Sequence, residues 1–377
     1  MSNKVVLKNL VNIDSGFAFK SYLFTEDDQY IPIIRIRDVN SGVATTYYSG
    51  EYDEKYIVNN GDLLISMDGS FIIKKWNGGK ALLNQRVCRI KSVSDKITDD
   101  YLFRILPKEL KAIEDKTPFV TVKHLSVKSI ENIEINLPSL EIQNKVVEVL
   151  DKAQELIDKR KLQIKALDEL VKSRFIEMFG DPIKNPNGFK VEKLSDISES
   201  FIGLTYKPDD VYDDGILVLR SGNIQNSKLV FDDSVRINTK VREKLFVKEN
   251  DILMCSRNGS ARLVGKVAMI PKLDEEVTFG AFMTIIRSSN YAYLFTYFQL
   301  EAFRQQLQSA KTTTINQITK KMLDEIVVPL PPIELQNEFA DFVKQVDQLK
   351  SQMETSLKEL EDNFNSLMQK AFKGELF

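Results

Sequence analysis

An internal duplication limits the possible folds of this chain more than any other feature. A shift of 193 positions lays 122–179 on 315–372 without a gap. It pairs Pro138 with Pro331, Glu141 with Glu334, Gln143 with Gln336 and Asn144 with Asn337, and further along Leu156 with Leu349, Leu167 with Leu360 and Phe179 with Phe372. A period close to half the chain means that a whole module has been doubled, not that short repeats stack into a solenoid. The pattern predicts an α+β protein: two mostly-β domains related by a pseudo-twofold axis and separated by two long helices packed as an antiparallel coiled coil.

The boundaries follow from the chain in order. Residues 1–137 read as the first β-rich domain. The runs 29–39, 61–67 and 85–90 are rich in β-branched residues and are bounded by Gly, Asn and Asp turns, so each predicts a strand. Residues 100–114 keep helical spacing at Leu102, Ile105, Leu106, Leu110 and Ile113. A long helix is expected over 138–180, about 60 Å of rod at 1.5 Å per residue. A rod of that length needs an apolar partner along one face. In 331–374 the seam is expected at Phe339, Phe342, Val346, Leu349, Met353, Ser356 and Leu360, spaced three and four apart in turn. In the first copy it is expected at Val146, Val149, Ala153 and Leu156, broken at Arg160 and Gln163, and resumed at Leu167 and Leu170. Residues 181–188 form a Gly- and Pro-bearing linker. The second domain, 189–330, repeats the frame of the first: GLTYKP at 203–208 matches GFAFKS at 16–21, and NDILMCSRNGS at 250–260 matches GDLLISMDGS at 61–70. The frame repeats while the turn side chains differ, as expected if each copy presents its own chemical surface.

The net charge of −2 is uninformative, but its distribution is not. Stretches 71–91, 116–130, 255–272 and 303–323 carry Lys and Arg without an acid, whereas acids gather at 26–28, 209–214 and 274–276. Segregated charge suggests a basic face for a polyanion. The start of the chain lacks the apolar core of a signal peptide and no run is long enough to span a bilayer, so a cytoplasmic protein is expected. Cys88 and Cys255 fall in apolar runs and read as buried thiols. With one histidine and two scattered cysteines, no metal-ligand spacing exists.

No catalytic motif emerges. There is no P-loop and no Asn-Pro-Pro-aromatic run; NPNG at 185–188 reads as a turn. His124 has no evident nucleophile or acid partner. Asp68 ahead of Lys74 and Lys75 is the nearest approach to a nuclease site, with Arg257 at the Asp68 position of the second half. What remains suits DNA reading. Arg35, Arg37 and Asp38 are expected at the end of one strand, and Arg220, Ser221 and Asn223 at the end of its counterpart. Asn84, Gln85 and Arg86, and Ser256, Arg257, Asn258, Ser260 and Arg262, place Arg with Asn or Gln in turns, the side chains that pair with guanine and adenine edges in the major groove. Ser70, Lys74, Lys75, Lys123 and His124 lie in or beside the acid-free stretches of the first half, Asn316 and Gln317 in that of the second. Lys20, Lys207, Lys311, Thr312, Thr313 and Thr314 are expected on phosphates. Phe19, Tyr206 and Trp76 are candidates to pack on sugar or base. Such a molecule would meet two half-sites of opposite polarity, with rod length setting the unread base pairs between them.

LPSLEIQN at 137–144 and LPPIELQN at 330–337, each before a long helix, with the ending QKAFKGELF at 369–377, resemble the specificity subunits of type I restriction-modification systems. The resemblance covers essentially the whole chain. It implies two target recognition domains, each reading one half of an asymmetric bipartite double-stranded DNA site. It further implies helices that set the spacer and dock two methyltransferase subunits for adenine N6 methylation. The specificity subunit would catalyse nothing and hold no cofactor. S-adenosylmethionine would sit in the methyltransferase subunits, ATP and Mg in the translocating restriction subunits. The first copy has Ser139 where the second has Pro332, and a more polar seam around Arg160. Three other readings stand beside this one: a coiled-coil adaptor whose β domains bind protein, a self-sufficient nuclease, and the recognition subunit of a related restriction enzyme that cuts on both sides of its site.

Overall fold

The computed structural model describes residues 4–117, 122–232, 234–309 and 316–377. It divides into two compact units, one of Met1–Arg160 with Ser356–Phe377, the other of Lys161–Thr355.

The first unit is built on a four-stranded antiparallel sheet in the order Val11–Ser15, Val87–Ser92, Leu63–Ser66, Ile73–Lys75. Cys88 stands between Ser15 and Ile65, and Ile90 between Ile13 and Leu63. A second sheet runs Phe24–Thr25, Tyr47–Tyr48, Ile31–Ile34, Ala81–Leu83, Ile57–Val58, with a parallel pairing of Ile33 to Leu82. The helix Asp99–Lys116 begins at Thr98, whose hydroxyl accepts from the Tyr101 N–H. It buries Leu102, Ile105, Leu106 and Leu110 against the first sheet, as its spacing required.

The second unit repeats this plan. Its four-stranded sheet runs Glu199–Ile202, Met283–Arg287, Ile252–Cys255, Val267–Met269, strand for strand the order of the first. The parallel pairing recurs too, as Leu217 to Val277. One close approach explains a matched glycine. Gly16 donates to the Val87 carbonyl at 2.9 Å and Gly203 to that of Met283 at 3.1 Å. A Cβ at Gly16 would lie 1.9 Å from the Asn84 carbonyl oxygen, and one at Gly203 2.2 Å from that of Gly280. Only glycine fits in either copy.

One expected strand divides. In 29–39 the extended part is Ile31–Ile34, and Ile36–Ser41 is a helical turn. The Asp38 carboxylate accepts from the Arg35 N–H at 2.9 Å and closes the turn's N-terminus. The second copy does the same with Asn223, which accepts from the Arg220 N–H at 2.8 Å. A period-two pattern does not register this side-chain-to-backbone competition.

The long helices are Leu140–Phe179 and Ile333–Lys373. The repeated glutamine has a structural role at their starts. Gln143 is fully buried; its amide donates to the carbonyls of Pro138 (2.9 Å) and Lys96 (2.7 Å) and its oxygen accepts from the Thr98 N–H. Gln336 repeats the clamp on the Pro331 carbonyl at 2.8 Å. The glutamine thus ties each helix to the proline that precedes it.

In each unit the helices pack antiparallel. In the first, Val146 and Leu150 share a core with Phe364, Leu367 and Ala371. In the second, Phe175 and Phe179 pack on Phe339, Arg174 pairs with Glu338, and Asp168 with Lys350. The seam runs one position away from part of the expected one. Leu156, Leu170 and Leu349 are 53, 46 and 42 % exposed, while Leu150, Ile157 and Lys350 are buried. Adjacent apolar residues at 149/150, 156/157 and 170/171 offer two seams of equal spacing, and only the partner helix selects one. The Lys350–Asp168 pair, its lysine buried and its carboxylate exposed, marks the register where an all-apolar seam could slide.

Both cysteines are buried, and burial pushes the Cys88 thiol up to about 12 and raises that of Cys255. In the native chain at pH 8 neither thiol should react with a thiol-specific disulfide reagent on the minute scale. Both should react at once in denaturant, because the thiolate is the nucleophile. Rapid native labelling of Cys88 would contradict the core packing of the first unit.

Candidate nucleic-acid interface

Three backbone segments meet at the same place in each unit: the loop leaving the strand Leu63–Ser66 or Ile252–Cys255, the turn at 84–86 or 280–282, and the extended piece at 123–125 or 316–318. In the first unit the Met67 N–H donates to the Arg86 carbonyl and the Leu125 N–H to that of Met67, while Asp68 bridges His124. In the second, the Ser256 N–H donates to the Phe282 carbonyl and the Ile318 N–H to that of Ser256, while Arg257 bridges Gln317. The hydrogen-bond frame therefore equates Asp68 with Arg257, Arg86 with Phe282 and His124 with Gln317.

The side chains at these positions differ completely. In the first unit the Asp68 carboxylate lies 2.6 Å from His124 Nδ1 and 3.5 Å from Arg86 Nε. A carboxylate can only accept, so in the shorter contact His124 Nδ1 donates to Asp68. Arg86 is held at φ 68°, a strained conformation for a side-chain-bearing residue, of the kind that collects at working sites. In the second unit the Arg257 guanidinium lies 5.3 Å from the Phe282 ring centre, a cation–π contact. Phe282 is 57 % exposed. Around them is a cleft of roughly 280 Å³ lined by Ile202, Thr205, Arg257, Phe282, Gln317 and Lys320. A neighbouring cleft of roughly 560 Å³ shares Ile202, Thr205 and Lys320 and adds Lys240, Arg242 and Lys244. Its cations suit a polyanion.

Of the residues read from sequence, Lys20, Arg37, Ser70, Lys74, Lys75, Gln85 and Arg86 are exposed in the first unit, with His124. Lys207, Arg257, Ser260 and Arg262 are exposed in the second. Lys75 pairs with Asp100, and the Arg35 and Arg37 guanidinium groups both reach the Thr46 hydroxyl. Arg35, Lys123, Tyr206, Arg220, Ser221, Asn258, Asn316 and Gln317 are half-buried. Lys123 donates to the Glu114 carbonyl, Asn258 to Ser221 Oγ and Asn316 to the Gly259 carbonyl, so these three brace loops.

Five expected contacts are buried and unavailable to a duplex. Phe19 sits among Tyr48 and Tyr56, Asp38 and Asn223 cap turns, Ser256 bonds the Thr284 hydroxyl, and Asn84 lies beneath its turn. Trp76 is likewise core, its indole donating to the Gly79 carbonyl. Lys311, Thr312, Thr313 and Thr314 lie outside the described residues. Sequence reasoning does not bring Asp68 together with Arg86 and His124, and it misses Phe282 altogether. The signal is in the frame itself: aligning the strand ends of the two copies residue by residue sets Phe282 opposite Arg86. Among the described residues no group of three or more His, Cys, Asp or Glu could hold a metal ion, and no helix is long and apolar enough to cross a membrane.

Two copies of one β-rich frame, each joined to a pair of antiparallel helices and each furnished differently at one loop site, define a duplicated recognition module. The chain belongs to the type I restriction modification DNA specificity domain family, whose pattern matches residues 2–167 and again 186–362. It is 29 % identical to the specificity subunit of the type I restriction enzyme EcoBI of Escherichia coli, across 99 % of this chain and 86 % of that one. It is 23 % identical to the MjaVIII specificity subunit of Methanocaldococcus jannaschii, across 86 and 81 %. In fold it resembles a type I restriction-modification S subunit from M. genitalium (TM-score 0.52, 15 % identity, 98 and 96 % covered). It also resembles a chain from a structure of type I R-M complex assembly and conformational transition (TM-score 0.58, 18 % identity, 99 and 98 % covered).

Proposed function

We propose that this chain is the non-catalytic DNA-reading subunit of a type I restriction-modification complex, each unit reading one half of an asymmetric bipartite site. The observation that carries the reading is the equivalence of 68/86/124 with 257/282/317: one frame, two unlike sets of side chains. Identical readers would select a repeated or palindromic sequence; unlike readers select two different halves. Arg257 and Arg86 can each address a guanine, and Lys240, Arg242 and Lys244 are placed for phosphates.

The long helices set the spacer and dock two methyltransferase subunits. Supporting this, Glu141 and Asn144 in one copy and Glu334 and Asn337 in the other are exposed at the helix starts, so the duplicated motif offers the same polar surface twice. S-adenosylmethionine belongs to those methyltransferase subunits, and ATP with Mg to the restriction subunits; no cofactor is assigned to this chain.

The test is co-expression with the methyltransferase partner, followed by sequencing of modified bases in genomic DNA. The expected result is one asymmetric bipartite motif with methyladenine on both strands. Stable partner binding without new methylation would sink the DNA-reading assignment and favour a protein-binding adaptor.

A further inference from the structure

Phe282 is the least expected side chain at the interface. More than half of it is exposed, although the aromatic and aliphatic cores of the second unit lie close by. Its backbone is fixed, since its carbonyl accepts from both the Ser256 N–H (2.9 Å) and the Arg257 N–H (3.1 Å). The ring is therefore anchored at its base and carries the Arg257 guanidinium across its face. The same frame position in the first unit holds Arg86, itself drawn against Asp68, which also holds His124. Two unrelated side chains at one fixed, outward position, each coupled to the residue at 68 or 257, mark a place where chemistry is varied while geometry is kept.

We infer that positions 68/86/124 and 257/282/317 are one base-reading position in two chemical versions, and that Phe282 is a specificity-determining residue whose ring meets the 5-methyl group of a thymine beside the guanine read by Arg257. This rests on the DNA-reading assignment above and assigns its chemistry. A phenyl ring offers no hydrogen bond. The feature of the major groove that rewards an apolar surface is the thymine methyl. The cation–π contact also restrains the Arg257 guanidinium, which favours a bidentate contact to guanine O6 and N7. Lys320, on the shared wall of the two clefts, lies between this pair and Lys240, Arg242 and Lys244. Base contact and backbone contact are thus neighbours on one surface.

Deoxyuridine, which lacks only the methyl group, isolates the contact. The full chain is assembled with its methyltransferase partner, and methylation rates are measured on duplexes carrying the modified motif with each thymine replaced in turn by deoxyuridine. At one thymine of one half-site the wild-type complex should slow roughly three- to tenfold, the scale of one buried methyl group. The Phe282→Ala complex should be slower on the natural duplex and indifferent to that replacement. If the wild-type complex methylates its motif yet is insensitive at every thymine, or if Phe282→Ala keeps the same sensitivity, the ring does not read a methyl and the inference falls. A motif lacking thymine overturns it equally. Failure of the wild-type complex to methylate any motif strikes instead at the assigned function.

Discussion

Replacing Phe339 with alanine should destabilise the second unit by about 3–5 kcal/mol, the range for deleting a fully buried aromatic ring. Phe339 is 0 % exposed and lies on the second long helix. Its ring centre is 5.6 Å from that of Phe175 and 5.3 Å from that of Phe179, both on the first long helix. Those rings in turn stand 4.9 and 5.0 Å from Tyr293 on the helix Tyr291–Tyr297. One side chain therefore fastens the helix pair to the β-rich body of its own unit, through aromatic contacts each worth more than their area alone. The surrounding rings are large and flat and cannot close over the space an alanine would leave, which places the cost at the upper end. Urea unfolding followed by far-ultraviolet circular dichroism measures it, and the fluorescence of Trp76, the sole tryptophan, reports separately on the first unit. Phe339→Leu should recover at least half of the loss. A cost below about 1 kcal/mol for the alanine variant would mean that the cluster does not hold the helices as described.

The residues themselves show where sequence reading succeeds and where it stops. The duplication is visible because matched residues have matched burdens: Gln143 and Gln336 each clamp a proline carbonyl, and Gly16 and Gly203 each admit a neighbouring backbone. Burdens of this kind are written in residue identity. The choice between a seam through Val149 and Leu156 and one through Leu150 and Ile157 is not, because both sets satisfy the same spacing and differ only in what faces them. Arg35, Asp38 and Asn223 mislead for a related reason. Arg followed three residues later by Asp or Asn looks like a pair of base readers, and it is also a turn closed on its own backbone. Phe282 escapes notice because an isolated phenylalanine in a β-rich domain is more often core than surface. The role proposed for it comes into view only when the hydrogen-bond frame sets it opposite Arg86. Local geometry and repeated structural duties are thus legible in the chain, whereas a position whose side chain changes between the copies is legible only by comparing them in register.

Loss of the Asp251 carboxylate should cost the second unit about 3–5 kcal/mol, because it breaks a buried ion pair from one side only. The Asp251 side chain is 2 % exposed and the Arg287 side chain 25 %. The carboxylate accepts from Arg287 Nε at 2.7 Å and Nη2 at 2.6 Å, a bidentate pair, and from the Lys248 N–H at 2.7 Å. Alanine would leave the Lys248 N–H without its acceptor. It would leave the guanidinium with the Phe246 carbonyl at 3.2 Å, the Phe201 ring at 5.1 Å and the charge of its cross-strand neighbour Glu199, which makes no hydrogen bond to it. Asparagine keeps an acceptor for Lys248 while removing the charge, so Asp251→Asn should lie between wild type and Asp251→Ala. The first unit binds its counterpart differently: Asp62 accepts from the Asn59 N–H at 2.9 Å and meets Arg89, which reaches Asp14 as well. There the guanidinium keeps a second carboxylate in direct hydrogen-bonded contact, so Asp62→Ala should cost less than Asp251→Ala. The consequence reaches the candidate interface, because Asp251 immediately precedes the strand Ile252–Cys255 that carries the chain to Arg257. Equilibrium unfolding of wild type and the three variants gives the ranking directly. Equal, small losses for Asp251→Ala and Asp62→Ala would show that both pairs are held at the surface by solvent and contribute no more than an exposed ion pair.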